Sequence, residues 1–576
     1  MKSFVKIFSI ANEYRSFSLY IFWGIFIFSS ILEMIGISLF IPLIASILDP
    51  NFLIKLSNTS YSVHIPEFIL KTNNNKLLFL VSLAIVLIYL FKSGVVLSSV
   101  YLINRFVGDM KANLSNKLMS NYLEQNYLYH TNKKNSEINA NVNQRLDSVA
   151  TGSIGSFLSI AAEAMIIFAI IILIFIANQQ KVFLILSVFF FIGIIISKLL
   201  GKQIKKFGLS RQKEYANKFD SFTKLIDNIR EIIFLGKKNL VFKDFYNSHY
   251  NLAKLDAKTA TYQKMPPLLF EMMGIFGLLV TVFYMKYINY EAIQIVTICT
   301  FFGAICYKVI PSLHKIMFYY YQIKYTAPIL DSLIKELNLA SKIVYHEEKI
   351  DFNNSIKLEN VSFGYDATNL LNNINLKIAK GSIVGILGKS GSGKTTLLDI
   401  ISGLILLSDG FVKIDNVKIN NSHLSRKLQN IISYASQRVT IFNDTLKKNI
   451  CFGIHEENID NHKYEKVIRL AELSSFVKNE NRASDIGNFG KNISGGQLQR
   501  IGIARALYFD KEIMIFDEST SSLDRETEEK IIKNINNANL SKTIIIVSHR
   551  FENLKYCDTI YKISDGNVSL QSKTQQ

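Results

Sequence analysis

Two stretches of this chain carry residues of the type and spacing needed to handle phosphate. Gly388-Lys389-Ser390-Gly391-Ser392-Gly393-Lys394-Thr395 fits the pattern G-x-x-x-x-G-K-[ST]. In such a loop the backbone N–H groups wrap phosphate oxygens, Lys394 reaches the terminal phosphates and Thr395 holds Mg²⁺. Downstream, the apolar run Ile513-Met514-Ile515-Phe516 ends in Asp517-Glu518. Asp517 is placed to hold the metal shell and Glu518 to polarise an attacking water. Together they predict an ATPase that uses ATP and Mg²⁺.

That chemistry needs elements that aim it. Residues 383–387 read as a buried strand and 396–401 as the opening of a helix, so the glycine loop lies where a helix N-terminus meets an anion. The run before Asp517 is short and continuous, as expected of a strand buried on both faces of a parallel sheet. Ligands of such sheets gather at the carboxyl ends of the strands.

With these pieces in place, the chain from about Ile356 onward resembles the nucleotide-binding domain of ATP-binding-cassette (ABC) proteins. The stretch Ser494-Gly495-Gly496-Gln497, followed by Leu498-Gln499-Arg500, separates this family from other P-loop ATPases. The resemblance implies that Tyr365 stacks on adenine and that Gly388 to Thr396 bind the phosphates. It implies that Gln437 joins the metal site to the membrane domain and takes part in catalysis, that Asp524 lies in the D-loop, and that His549 contacts the γ-phosphate. Two positions depart from the family pattern: Ile493 stands where leucine is usual, and Asn488 where an acidic residue is common. In the family, Ser494 to Gln497 would cap a nucleotide held by an opposing cassette. One cassette per chain therefore implies a dimer; the full catalytic set favours a homodimer, with a heterodimer as the other reading.

The other half is a different material. Of 576 residues, 49% are hydrophobic, only 19% are charged and 41 are phenylalanine, which is too apolar for an ordinary soluble protein. A bilayer core of about 30 Å needs about 20 apolar helical residues. Six segments come near that: 17–47, 77–101, 157–177, 182–200, 267–285 and 293–317. The first is too long for a cleaved signal peptide and is expected to be retained. Basic residues crowd 198–264, while 178–181 and 286–291 are short and nearly uncharged, so the crowded connections and the cassette are assigned to the cytoplasm. The net charge of +19 then reflects topology and anionic headgroups, and nucleic acid is not an expected partner. The expected fold is multi-domain: a six-helix all-α transmembrane domain over 1–325, resembling type I/IV ABC exporters, a linker over 326–355, and an α/β P-loop ABC nucleotide-binding domain over 356–576. The helices are expected to turn back near 130–135 and 224–233, positions that by resemblance are coupling helices. Cys299, Cys306, Cys451 and Cys557 have neither disulfide nor metal-ligand arrangement.

The membrane half resembles bacterial lipid-linked oligosaccharide flippases. Three stretches carry this: Glu33-Met34-Ile35-Gly36-Ile37-Ser38-Leu39-Phe40-Ile41-Pro42, Pro266-Pro267-Leu268-Leu269-Phe270-Glu271 and Tyr307-Lys308-Val309-Ile310-Pro311-Ser312. The resemblance implies a bacterial cytoplasmic-membrane protein that moves a lipid-linked oligosaccharide or related phosphorylated amphiphile; a peptide or drug exporter is the alternative. Ionisable residues within spans are functional candidates by default. Lys92 and Lys308 match cavity cations of that family and would hold a pyrophosphate, although a third basic position of the family is Pro267 here. The other reading of both lysines is snorkelling, or pairing with Glu271. Glu33 and Glu163 read as structural. The segment 51–71 is either a short external helix or a plain loop.

Overall fold

Long apolar stretches in this chain become helices because only a helix satisfies every backbone group within one segment. The computed structural model describes residues 2–39, 43, 47, 74–176, 180–290, 292–339, 350–365, 369–419, 424–477, 493–537 and 542–571. Its first helices are α1 (Lys2–Ser38), α2 (Asn74–Leu123), the short α3 (Tyr127–Asn132), α4 (Asn135–Ile176), α5 (Gln180–Asp227), α6 (Ile229–Leu235), α7 (Lys238–Tyr287) and α8 (Ala292–Leu337). The chain divides into two units, Met1–Leu123 with Lys133–Ala340, and Glu124–Asn132 with Ser341–Gln576.

In the first unit α1 packs on α2 and α4, α4 on α8, and α5 on α7 and α8. Phe270, Phe302, Ile305 and Tyr321 are fully buried at its centre. A Cβ at Gly208 on α5 would run into the backbone carbonyl of Tyr325 on α8, so no other residue fits that approach. Two π-turns, Ala140–Arg145 and Ala150–Gly155, interrupt α4. Within the second, Ser153 shares a 2.6 Å hydroxyl hydrogen bond with Thr326 of α8.

Among the described residues four helical stretches, Leu19–Ser38, Leu78–Leu123, Asn135–Ile176 and Phe242–Tyr287, are long and apolar enough to cross a membrane by length and composition. Large apolar side chains such as Leu90, Phe91, Leu97, Phe276 and Phe283 stand exposed on them, as lipid contact requires. The expected spans 182–200 and 293–317 fall inside α5 and α8, which do not meet that criterion over their described residues. The expected linker 326–355 is corrected in part: residues 326–337 continue α8, because Ile329, Leu330, Leu333 and Leu337 recur at helical spacing and are buried. The first turning segment, α3, begins at Tyr127, slightly before the expected 130–135, and the second, α6, follows Asn228 inside the expected 224–233. Segment 51–71 and Asn488 lie outside the described residues.

Among its described residues the second unit holds ten strands: β1 (Ser355–Phe363), β2 (Leu371–Ala379), β3 (Ile383–Gly388), β4 (Asp409–Ile414), β5 (Val417–Ile419), β6 (Ile432–Ala435), β7 (Ile513–Asp517), β8 (Thr543–Ser548), β9 (Thr559–Ser564) and β10 (Asn567–Gln571). An antiparallel sheet has the order β2-β1-β4-β5, and a six-stranded sheet the order β10-β9-β3-β8-β7-β6. In the latter β3, β6, β7, β8 and β9 are parallel and β10 is antiparallel. β7 and β8 are buried at every position, which explains their unbroken apolar runs. Parallel pairing sends the carboxyl ends of β3, β6, β7 and β8 to one edge, and residues 388, 435, 517 and 548 with them. Two further helices matter for the site: α9 (Lys394–Ile401), which follows β3, and α10 (Gly495–Phe509).

Candidate nucleotide site

The loop between β3 and α9 turns on Gly393, whose φ of 97° belongs to glycine and which forms the N-cap of α9. Lys389, Ser390 and Gly391 are exposed along the loop, and Thr395 presents an exposed hydroxyl on the first turn of the helix. Lys394 is buried instead, its ammonium donating to the carbonyls of Gly388 at 2.9 Å and Lys389 at 3.0 Å. A cavity of about 610 Å³ lies against Gly388 to Ser392. Ser392 Oγ is buried with no hydrogen-bond partner among the described residues, and a Cβ at Gly388 would sit 2.6 Å from it. An orphaned hydroxyl in a glycine loop at a helix N-terminus fits a phosphate oxygen.

Glu518 is the hub of the candidate catalytic residues. It follows β7 with φ of 42°, a strained value for a residue with a side chain. Gln437, just past β6, donates from Nε2 to Glu518 Oε2 at 2.8 Å. The other oxygen, Oε1, faces Lys394 Nζ at 3.4 Å and His549 Nδ1 at 3.8 Å. The carboxylate is thus aimed by an amide on one side and flanked by a cation on the other. In that position it can take a proton from a water molecule while Lys394 offsets negative charge beside it.

Asp517 is buried at the end of β7, and Tyr434 of β6 donates its hydroxyl to Oδ2 at 2.8 Å. Burial raises the Asp517 pKa and the Glu518 charge adds to the rise, while the Tyr434 hydrogen bond and Lys394 work against it. Thr395, Gln437 and Asp517 offer hydroxyl, amide and carboxylate oxygens, donors of the hard kind that Mg²⁺ takes. Bound there, Mg²⁺ would supply charge neutralisation for phosphoryl transfer. Asp399 on α9 is pushed up to about 6 by burial and then by Asp517.

The remaining expected residues sit in smaller groupings. Tyr365 is half exposed, packs edge-on against Phe363, and its hydroxyl lies 3.3 Å from Thr396 Oγ1. Ser494 caps α10: its Oγ accepts from Gln497 N at 3.3 Å while Gln497 Oε1 accepts from Ser494 N at 3.0 Å, a complete capping box. Gly495 and Gly496 open the helix against Ser522. Asp524 accepts from Thr527 N at 3.0 Å, which lowers its pKa. Among the described residues no hydrogen bond or ion pair links Ser494 to Gln497 with the loop at 388–395.

In the membrane unit the pairing differs from expectation. Lys92 and Lys308 both reach Glu33 Oε2, at 2.7 and 3.0 Å, and neither pairs with Glu271. Glu271 is exposed on α7 and makes no ion pair among the described residues. The helix turns Glu271 outward and buries Glu33, so Glu33 is the available anion. Glu163 pairs with Lys315 at 2.7 Å.

Tyr434, Asp399 and Tyr127 are not among the residues expected at the site, and Gln499 enters there only within the stretch after Gln497. Tyr434 and Asp399 surround Asp517; Gln499 ties α10 to the segment after Glu518, donating to Ser521 Oγ at 3.0 Å and accepting from Ser522 N at 2.8 Å. Tyr127 of α3 belongs to this unit, where burial, then Asp399 and Tyr365, raise its pKa. The available signal was a tyrosine within the apolar strand β6, since a buried phenol seeks a partner.

The chain matches two family models, that of the ABC transporter over residues 371–521 and that of the ABC transporter transmembrane region over residues 23–305. It is 36% identical over 218 residues to an ATP-dependent lipid A-core flippase of Cupriavidus metallidurans, an alignment covering 37% of this chain and 36% of that protein. It spans little more than a third of such first relatives, whereas the flippase of the same name from Syntrophus aciditrophicus aligns over 506 residues at 26% identity, covering 86% of this chain and 82% of that one. Its fold is shared with a bacterial Atm1-family ABC exporter solved with ATP bound, at a TM-score of 0.80 and 18% identity over 94% of both chains. A helical transmembrane domain followed by an α/β nucleotide-binding domain, each matched by an ABC transporter family model, makes this chain a member of the ABC transporter family, built as a half-transporter.

Proposed function

We propose that two copies of this chain use ATP and Mg²⁺ to flip a lipid-linked oligosaccharide or a related phosphorylated amphiphile across the bacterial cytoplasmic membrane. Six spans, 17–47, 77–101, 157–177, 182–200, 267–285 and 293–317, carry the cargo path, with the cassette in the cytoplasm. Glu518 is the catalytic base, aimed by Gln437 and assisted by His549. Thr395, Gln437 and Asp517 hold Mg²⁺; Gly388 to Thr396 bind the phosphates and Tyr365 the adenine. Ser494 to Gln497 and Asp524 complete the site of the opposite copy, a reading supported by their separation from the loop of their own chain.

The observation that carries the engine is Glu518 held between Gln437, Lys394 and His549. For the cargo, support comes from the buried Lys92 and the partly buried Lys308 in the membrane unit and from relatives named lipid A-core flippases. The test is the chain alone in proteoliposomes with a fluorescent lipid-linked oligosaccharide. ATP-dependent movement that disappears in Glu518→Gln is expected. Intact ATPase without movement would overturn the cargo, and ATPase that appears only on adding a second polypeptide would overturn the homodimer.

A further inference from the structure

Glu33 on α1, Lys92 on α2 and Lys308 on α8 meet at a single carboxylate oxygen, with the ammonium groups 2.7 and 3.0 Å away. Glu33 is 2% exposed and Lys92 is 9% exposed, and Lys92 also lies 4.4 Å above the Tyr89 ring. One carboxylate against two ammonium groups leaves a surplus of one positive charge. At membrane depth an uncompensated charge is costly, so the cluster favours a further anion. The same three helices wall a cavity of about 580 Å³ lined by Ile37, Tyr89, Thr300, Tyr307 and Lys308, in which Lys308 is the charged lining residue among those described.

We infer that this site takes a headgroup bearing one negative charge, a phosphodiester rather than a pyrophosphate, and that Glu33 is the residue setting that number. The inference rests on the reading of the cargo as a phosphorylated amphiphile and narrows its linkage. A phosphodiester carries one charge and brings the cluster to neutrality. A pyrophosphate diester carries two and overshoots. Without Glu33 the two lysines would match the pyrophosphate; with it, buried and held from both sides, one unit of their charge is already answered. Tyr89, Thr300 and Tyr307 add hydroxyls that suit the sugar or the phosphate oxygens.

The experiment uses the full chain in proteoliposomes with two amphiphiles of identical tail and fluorescent sugar, one joined by a phosphodiester and one by a pyrophosphate. The half-saturating concentration for ATP-dependent movement is expected to favour the phosphodiester by about tenfold, equivalent to one decade of affinity. Glu33→Gln raises the cationic surplus and reverses the preference. The double variant Glu33→Gln with Lys308→Gln restores a single surplus charge and with it the phosphodiester preference, which separates charge matching from a general folding defect. A wild-type preference for pyrophosphate, or a double variant that fails to recover while its ATPase is normal, would overturn the inference. If both amphiphiles move without preference, the charge match fails and the cargo reading survives. If neither moves while ATPase persists, the cargo reading fails as well. A tail-less phosphodiester of the same sugar is the third probe; competition at the same concentration would assign the site to free phosphates and not to a lipid headgroup.

Discussion

The two charged centres of this molecule are built on opposite plans. In the cassette, Glu518 and Asp517 are adjacent in sequence, stand at a strand end, and are each met by side chains from neighbouring strands or loops. In the membrane unit, one carboxylate on α1 serves two ammonium groups from α2 and α8, with no strand edge or glycine loop to aim it. The first centre spreads one task over many partners and can lose one without losing its shape. The second is a cluster of three charges with one cation in surplus, in which losing Glu33 or both lysines leaves buried charge unanswered. Catalysis therefore tolerates mutation in structure but not in rate, whereas the membrane cluster is expected to fail first in structure.

Four measurements would sharpen that contrast or break it. The largest effect belongs to Glu518→Gln, which keeps the shape and the Gln437 contact but removes the proposed base. Steady-state ATPase is expected to fall by about 10²- to 10⁴-fold with nucleotide binding retained. Unchanged hydrolysis would remove Glu518 from the mechanism. Next, the pair Lys92→Gln with Lys308→Gln strands Glu33 and is expected to cost about 3–5 kcal/mol of stability, read as a lower thermal transition. Adding Glu33→Gln to that pair should recover most of the loss; no recovery would mean the lysines stabilise the fold by packing alone.

Smaller effects are expected around Asp517. Tyr434→Phe removes the 2.8 Å hydrogen bond to Oδ2 and leaves a buried carboxylate less satisfied, a loss of about 1–3 kcal/mol. Because that bond favours the charged form, the variant should need more Mg²⁺ for half-maximal ATPase, most visibly toward pH 6; an unshifted Mg²⁺ curve would show that the hydroxyl does not tune the carboxylate. The smallest effect is Asp399→Asn. The Asp399 carboxyl is raised from 3.8 to about 6, so the folded state holds its proton longer than the unfolded chain, and wild-type stability falls as pH rises between those values. In chelator, the variant should match wild type below about pH 4 and exceed it above about pH 6 by on the order of 1–2 kcal/mol. A difference independent of pH would assign the effect to packing.

The same contrast explains what could be read before the structure. The glycine loop, the Asp517-Glu518 pair and the Ser494 stretch are contiguous, so their chemistry and placement are both written locally. β3, α9 and β7 fall within a residue or two of expectation for the same reason. Tyr434 and Asp399 were not legible, since their meeting with Asp517 depends on the pairing of β6 with β7 and on the placement of α9. In the membrane, the ionisable residues were visible but their partners were not. Apolar residues surround these helices on all sides, so hydropathy gives no rotation, and nothing local says that Glu33 points inward while Glu271 points out. The continuation of α8 through 326–337 was masked by charged residues between Ile329, Leu330, Leu333 and Leu337.

The capping box at Ser494 divides that side chain's labour between its two hydrogen-bonding faculties. A lone pair on Oγ is committed to Gln497 N, but the hydroxyl proton is not, so the serine can fasten its own helix and still offer a donor outward. Aspartate would fasten the helix equally well and offer only repulsion to an incoming anion; threonine would do both jobs; alanine neither. Architecture and ligand recognition at this position are thus separable by one atom, and a three-member substitution series there can say which of the two a damaged transporter has lost.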